Sequence, residues 1–112
     1  MKKITVIDYG AGNIRSIERA LKKLGYSILI TEKKKDILEA SNLILPGVGA
    51  FKQAMDKLIK LDITDAIKNY CKSGNPFLGI CLGMQLLCSN SNEFGDTEGL
   101  NIISGTVKNI SE

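Results

Sequence analysis

Cys81 is the residue of this chain best placed to do chemistry. It sits in Pro76-Phe77-Leu78-Gly79-Ile80-Cys81-Leu82-Gly83-Met84-Gln85-Leu86-Leu87, with a glycine two residues before it and another two residues after it. A strand that turns at once into a helix needs small residues at those two places, because a side chain there would strike neighbouring backbone. The residue at the turn is then held exposed above a parallel sheet, and a helix N-terminus behind it favours the nucleophilic thiolate. The plain alternative is a buried strand with a core cysteine, since free cysteines are among the most buried residues. Glycines weaken strand and helix interiors alike, so a cysteine flanked by two of them favours the turn.

The other candidates carry less. Cys71, Cys81 and Cys88 are odd in number and have neither zinc-like nor disulfide-like spacing, which implies free thiols in a reducing compartment and no metal site. The sequence contains no histidine, so a Cys-His pair cannot be completed from these residues. Lys33-Lys34-Lys35 is a short basic run beside a turn, without interleaved aromatics. With a net charge of only +3 it reads as a solvated loop and argues for no nucleic-acid partner. No apolar run approaches a membrane span, and the start at Met1-Lys2-Lys3-Ile4 enters strand-like alternation with no signal-peptide core. A cytoplasmic location with no membrane partner is expected.

The elements that would position Cys81 follow from periodicity. Lys3 to Asp8 alternates and is rich in Ile and Val, the mark of a first strand. Asp8-Tyr9-Gly10-Ala11-Gly12-Asn13 leads to a helix with Ile14, Ile17, Ala20, Leu21 and Leu24 on one face, stopped by Gly25. The Gly-x-Gly of that loop lacks the third glycine of a dinucleotide fingerprint, and no cofactor is expected. Tyr26 to Thr31 forms a second strand, and Asp36-Ile37-Leu38-Glu39 resembles a capping box opening a short helix. Asn42 to Leu45 is a third strand, broken at Pro46-Gly47-Val48-Gly49. Helix resumes near Phe51 with Ala54, Met55, Leu58 and Ile59 on one side. Asp62 and Asp65 open another helix with a buried stripe of Ile63, Ala66, Ile67, Tyr70 and Cys71, and Phe77 to Ile80 is the fourth strand. Beyond the elbow helix, Ser89 to Asp96 reads as a polar loop, and Leu100 to Ile110 as strand, turn at Ser104-Gly105, strand. The alternation β-α-β-α-β-α-β implies a flavodoxin-like α/β fold, a parallel sheet with helices on both faces. A sheet stopped at residue 112 would leave apolar surface uncovered, so residues 1–112 are expected to be the N-terminal portion of a single larger domain.

Three motifs in order identify a resemblance. Gly79-Ile80-Cys81-Leu82-Gly83-Met84-Gln85 resembles the nucleophile motif of class I (triad-type) glutamine amidotransferases, and Pro46-Gly47-Val48-Gly49-x-Phe51 resembles the loop these enzymes use as an oxyanion strand. Asp8-Tyr9-Gly-x-Gly-Asn13-x-x-Ser16 is similar to the branch that serves as glutaminase subunit of imidazole glycerol phosphate synthase. The resemblance implies a Cys81 nucleophile that attacks the side-chain amide of glutamine, forming a thioester and releasing ammonia to a (β/α)8 cyclase subunit in a heterodimer. It implies Val48 and Leu82 N–H groups as the oxyanion hole, with Gly49, Gln85 and Glu93 holding the substrate glutamine. Tyr9, Gly10 and Asn13 then lie at the partner interface.

The chain departs from the family pattern in two ways. The catalytic histidine and glutamate of the family's second half have no counterpart here, so this chain alone is expected to form a Cys81 adduct without useful turnover. Asn101 stands where the family usually has glycine. That departure keeps open a paralogue supplying ammonia for amidino-sugar synthesis, and the missing histidine keeps open a non-catalytic interaction module. A redox thiol on a flavodoxin-like sheet is the third alternative, although it needs neither an oxyanion loop nor an amide ligand.

Overall fold

The computed structural model describes residues 2–110. β1 (Lys3–Ile7), α1 (Ile14–Lys23), β2 (Ser27–Thr31), α2 (Lys34–Glu39), β3 (Leu43–Leu45), α3 (Phe51–Lys60), α4 (Thr64–Lys72) and β4 (Phe77–Gly79) form the first part of the chain. Their four strands make a parallel sheet in the order β2-β1-β3-β4. The register sorts the side chains. Thr5, Ile7, Leu43, Leu45 and Phe77 share one face, while Ile4, Val6, Ile28, Ile30, Ile44 and Leu78 share the other.

The first face is the core. Ile7, Leu43 and Leu45 are buried there with Ile37 of α2, Phe51, Ala54, Met55 and Leu58 of α3, and Ala66, Ile67 and Tyr70 of α4. Those α3 residues recur at the three-and-four spacing of one helix face. Ile59, expected with them, turns outward and is exposed, because it falls at the far edge of that stripe. Cys71 is only half-buried at the edge of the α4 stripe. On the second face α1 contributes Leu21, which borders a groove of about 210 Å3 with Ile4, Ile44 and Leu78. Leu78 stays exposed. No helix of the described residues is long and apolar enough to cross a membrane.

Two local expectations change. The capping box at Asp36 does not form. α2 begins three residues earlier, with Lys33 at the N-cap position making no side-chain cap, and Asp36 instead accepts the Thr31 hydroxyl at 2.6 Å. The elbow helix is short: α5 spans only Leu82–Gln85. Leu87 N–H closes a tighter turn on Met84 O at 3.2 Å, and the carbonyls just beyond are committed to a later segment. Leu86 O accepts from Leu100 N–H, and Leu87 O accepts from Ile102 and Ile103 N–H, each at 2.8 Å.

After α5 the chain builds a second sheet in place of the expected polar loop and hairpin. β5 (Cys88–Ser91), β6 (Thr97–Glu98) and β7 (Ile103–Val107) lie in the order β6-β5-β7, with β5 antiparallel to β6 and parallel to β7. Ser104-Gly105 is not a turn. The pairs Cys88↔Ile103 and Asn90↔Thr106 leave an extra residue on β7, and this bulge is absorbed where Gly105 takes φ 155°.

Candidate active site

Cys81 stands where β4 becomes α5, exposed, with φ 53° and ψ −120°. A non-glycine residue in that conformation is strained, and strain of this kind persists only where surroundings impose it. Here the surroundings are main chain. A Cβ on Gly83 would collide with the Leu45 carbonyl oxygen and stand 2.8 Å from Leu45 C, and one on Gly79 would stand 2.8 Å from Met84 Cα. Ile80 N–H donates to Leu45 O at 3.0 Å, while Gly83 N–H donates back to Ile80 O at 2.9 Å. The strand end and the first helical turn therefore close around Cys81 and present it at the carboxyl ends of the strands, the ligand-binding side of such sheets.

The Pro46-Gly47-Val48-Gly49 loop follows β3 directly and lies against the elbow. A Cβ on Gly47 would come within 2.9 Å of Gly83 N and 3.0 Å of Leu82 Cβ. The peptide joining Gly47 to Val48 is bonded on both sides. Its carbonyl accepts Leu82 N–H at 3.1 Å, and its N–H donates to Ala11 O at 2.5 Å. The two N–H groups expected to form the oxyanion hole are thus adjacent but engaged, and the place beside Leu82 N–H that an oxyanion would take holds a carbonyl oxygen. Gly47 O and Val48 N–H point to opposite sides of this one peptide, so a turn of roughly half a revolution would exchange them. Val48 is 58% exposed, and Gly49, at φ 106°, has nothing within 4 Å of a Cβ placed on it.

The remaining expected residues divide. Gln85 is one turn beyond Cys81, with its N–H on Cys81 O at 3.3 Å. Glu93 lies in the turn between β5 and β6, and its bonds are local: its carboxylate accepts the Ser91 hydroxyl and its N–H donates to the same oxygen, both at 3.3 Å. Gly10 and Asn13 are exposed, Asn13 capping α1 through Ser16 N–H. Tyr9 is not at the surface. It is 4% exposed, and its hydroxyl donates to Pro46 O at 2.6 Å, so it braces the Pro46-Gly47-Val48-Gly49 loop. Burial holds its phenol well above the ordinary tyrosine range. Burial also pushes the Cys71 thiol up. Ala11, as acceptor for Val48, and Lys57, whose ammonium donates to Gly10 O at 2.8 Å, were not expected at the site. The sequence carries no signal for either, since one acts through its main chain and the other is one lysine among many.

A strained cysteine between two glycines, facing a glycine-flanked loop above a parallel sheet, defines a class, and the chain belongs to it: the family profile described as glutamine amidotransferase class-I matches residues 5–109. The chain is 50% identical over 107 residues to the imidazole glycerol phosphate synthase subunit HisH of Bacillus cereus (strain B4264), covering 96% of this chain and 51% of that protein. It is 55% identical over 104 residues to the protein of the same name from Caldanaerobacter subterraneus subsp. tengcongensis, covering 93% and 51%. The chain therefore spans about half the length of these curated relatives. A crystal structure of a glutamine amidotransferase shares the fold with a TM-score of 0.77 at 22% identity, over 93% of this chain and 55% of that one.

Proposed function

We propose that residues 1–112 are the nucleophile-bearing N-terminal portion of a single glutamine amidotransferase domain. It serves as glutaminase subunit of imidazole glycerol phosphate synthase in histidine biosynthesis. The Cys81 thiolate attacks the side-chain amide carbon of glutamine, and the carbonyl electrons move onto oxygen. Collapse of that oxyanion breaks the C–N bond, and the nitrogen leaves with an added proton as ammonia. Water then cleaves the γ-glutamyl thioester to glutamate and restores the thiol. Leu82 N–H and, once its peptide has turned, Val48 N–H stabilise the oxyanion. Gly49, Gln85 and Glu93 hold the glutamine. The ammonia passes to a (β/α)8 cyclase subunit docked on the rim of Gly10 and Asn13.

The observation that carries this reading is the elbow itself, Cys81 at φ 53° packed by Gly79 and Gly83 against a bonded Gly47–Val48 peptide. A redox thiol has no use for that peptide. The relatives named HisH favour the histidine pathway over the amidino-sugar paralogue. Asn101 does not count against them, because at φ 54° it occupies the left-handed region that glycine and asparagine share.

The test is alkylation by a thiol-reactive glutamine analogue, followed by peptide mass mapping. An adduct is expected on Cys81, suppressed by excess glutamine and absent in Cys81→Ser, with Cys71 and Cys88 unmodified. Turnover is expected to be negligible, since no histidine is present to act as base. Equal labelling of all three thiols, or labelling indifferent to glutamine, overturns the reading.

A further inference from the structure

Segment 9–12, which supplies the Ala11 carbonyl, is held from two sides. On the inner side it lies along the oxyanion loop. The Tyr9 hydroxyl bonds Pro46 O, a Cβ on Gly12 would meet the Pro46 ring at 3.0 Å, and Ala11 O holds Val48 N–H. On the outer side stands α3, whose Lys57 reaches across 47 positions of sequence to bond the Gly10 carbonyl at 2.8 Å. Gly10 has φ 85°, and a Cβ there would meet Lys57 Cδ at 3.8 Å. The Gly10 and Ala11 carbonyls belong to consecutive peptides, so the group Lys57 holds is next in the chain to the group that holds Val48. Lys57 shares a cleft of about 470 Å3 with Asp8, Glu32 and Lys60, yet among the described residues it joins no salt bridge. Its bond to Gly10 is therefore not the by-product of an ion pair.

We propose that Lys57 is a positioning residue for the glutaminase site. By fixing the Gly10 carbonyl it fixes the Ala11 carbonyl, and through it keeps Val48 N–H turned away from the point beside Cys81. The inference rests on reading the Gly47–Val48 peptide as the movable half of the oxyanion hole. Lys57 does not touch that peptide and is not a catalytic residue. Its leverage comes from Gly10, which without a Cβ is free to swing once its carbonyl is released.

Amide hydrogen exchange of the full chain, followed by NMR, tests it with Lys57→Met and Lys57→Arg. Methionine keeps much of the aliphatic stem and removes the donor, whereas arginine keeps a donor on a long stem. In Lys57→Met the Val48 amide is expected to exchange roughly threefold to tenfold faster, the scale of one intramolecular hydrogen bond. The Leu82 amide, bonded to the carbonyl of the same peptide, is expected to follow. Thr5 and Ile80 amides, bonded within the sheet to Asn42 and Leu45, keep their rates, and Lys57→Arg stays near wild type. An unchanged Val48 rate in Lys57→Met overturns the inference, and so does equal acceleration at Thr5 and Ile80, which would mean general loosening. Glutamine-protected labelling of Cys81 in the same samples fails separately. Its loss removes the glutaminase reading and leaves the exchange result standing.

Discussion

Residues 3–87 and residues 88–107 are held together by different physics, and the candidate site straddles the join. The first region is built on apolar strands and helix stripes that meet in one core, with Ile7, Leu45, Leu58, Ile67 and Leu86 inaccessible to water. The second region has strands of Cys-Ser-Asn-Ser, Thr-Glu and Ile-Ser-Gly-Thr-Val, mostly in contact with water. It is attached through main-chain bonds to the Leu86 and Leu87 carbonyls and through the buried side chain of Leu100. Cys81 and its facing loop, which must keep a strained turn, stand on the first region. Glu93, which we assign to the substrate, stands on the second. Strain is stored where packing over-determines the backbone, and a ligand contact can sit where it does not.

The same substitution made in both regions separates them most sharply. Gly83→Ala places a methyl against the main chain of Leu45 and Pro46, which cannot move without breaking the sheet. Its expected cost is about 4 kcal/mol, enough to abolish cooperative unfolding in a marginal domain. Gly105→Ala meets nothing within 4 Å and is strained only by its φ of 155°, so its expected cost is about 1 kcal/mol. Urea denaturation of both variants measures the difference. Equal losses would break the comparison.

That contrast also explains what the sequence could disclose. The parallel sheet, its helices and the elbow were legible because each leaves a constraint on residue type: alternating Ile and Val, three-and-four apolar spacing, and glycines at positions 79 and 83 where only hydrogen fits. The second sheet was not legible, since Ser, Asn, Thr and Glu carry no period. The bulge at Gly105 is set by pairing with β5, and only the fold shows that. The length of α5 was likewise hidden, because residues 100–103 bond the Leu86 and Leu87 carbonyls just beyond it. Cys81, Val48 and Leu82 were singled out by motif, and the structure adds that the N–H groups of the latter two are engaged by the Ala11 and Gly47 carbonyls. Tyr9 was expected at the surface. An aromatic in a glycine-rich loop fits a rim as well as a core, and the hydroxyl's partner at Pro46 lies 37 positions away.

Tyr9→Phe probes the first region at the site. It leaves the Pro46 carbonyl without its buried donor, with an expected loss of about 2 kcal/mol in urea denaturation near neutral pH. It also changes the alkaline limb. The folded phenol is pushed up by burial, so its contribution is whole below the unfolded tyrosine value of about 10 and is lost as pH rises beyond it. Stability against pH from 8 to 11 should therefore fall less steeply in the variant (roughly one ionisation fewer). Tyr70, raised by burial and by Cys71, leaves part of the slope in place. An identical slope in both proteins would place the Tyr9 phenol in solvent.

The smallest effect is expected at the join. Asn101 holds φ 54° between buried Leu100 and half-buried Ile102, with its N–H on Cys88 O at 3.0 Å. Asparagine tolerates this region because its short amide can bond locally, glycine because it has no Cβ, and alanine tolerates it poorly. Asn101→Gly should change stability by only about 0.3 kcal/mol, whereas Asn101→Ala should cost about 1 kcal/mol. The two variants differ by a single methyl, so the gap reads the backbone strain at position 101 directly. If alanine proves as neutral as glycine, the join relaxes at little cost. The second region would then be free to shift Glu93 without help from the core.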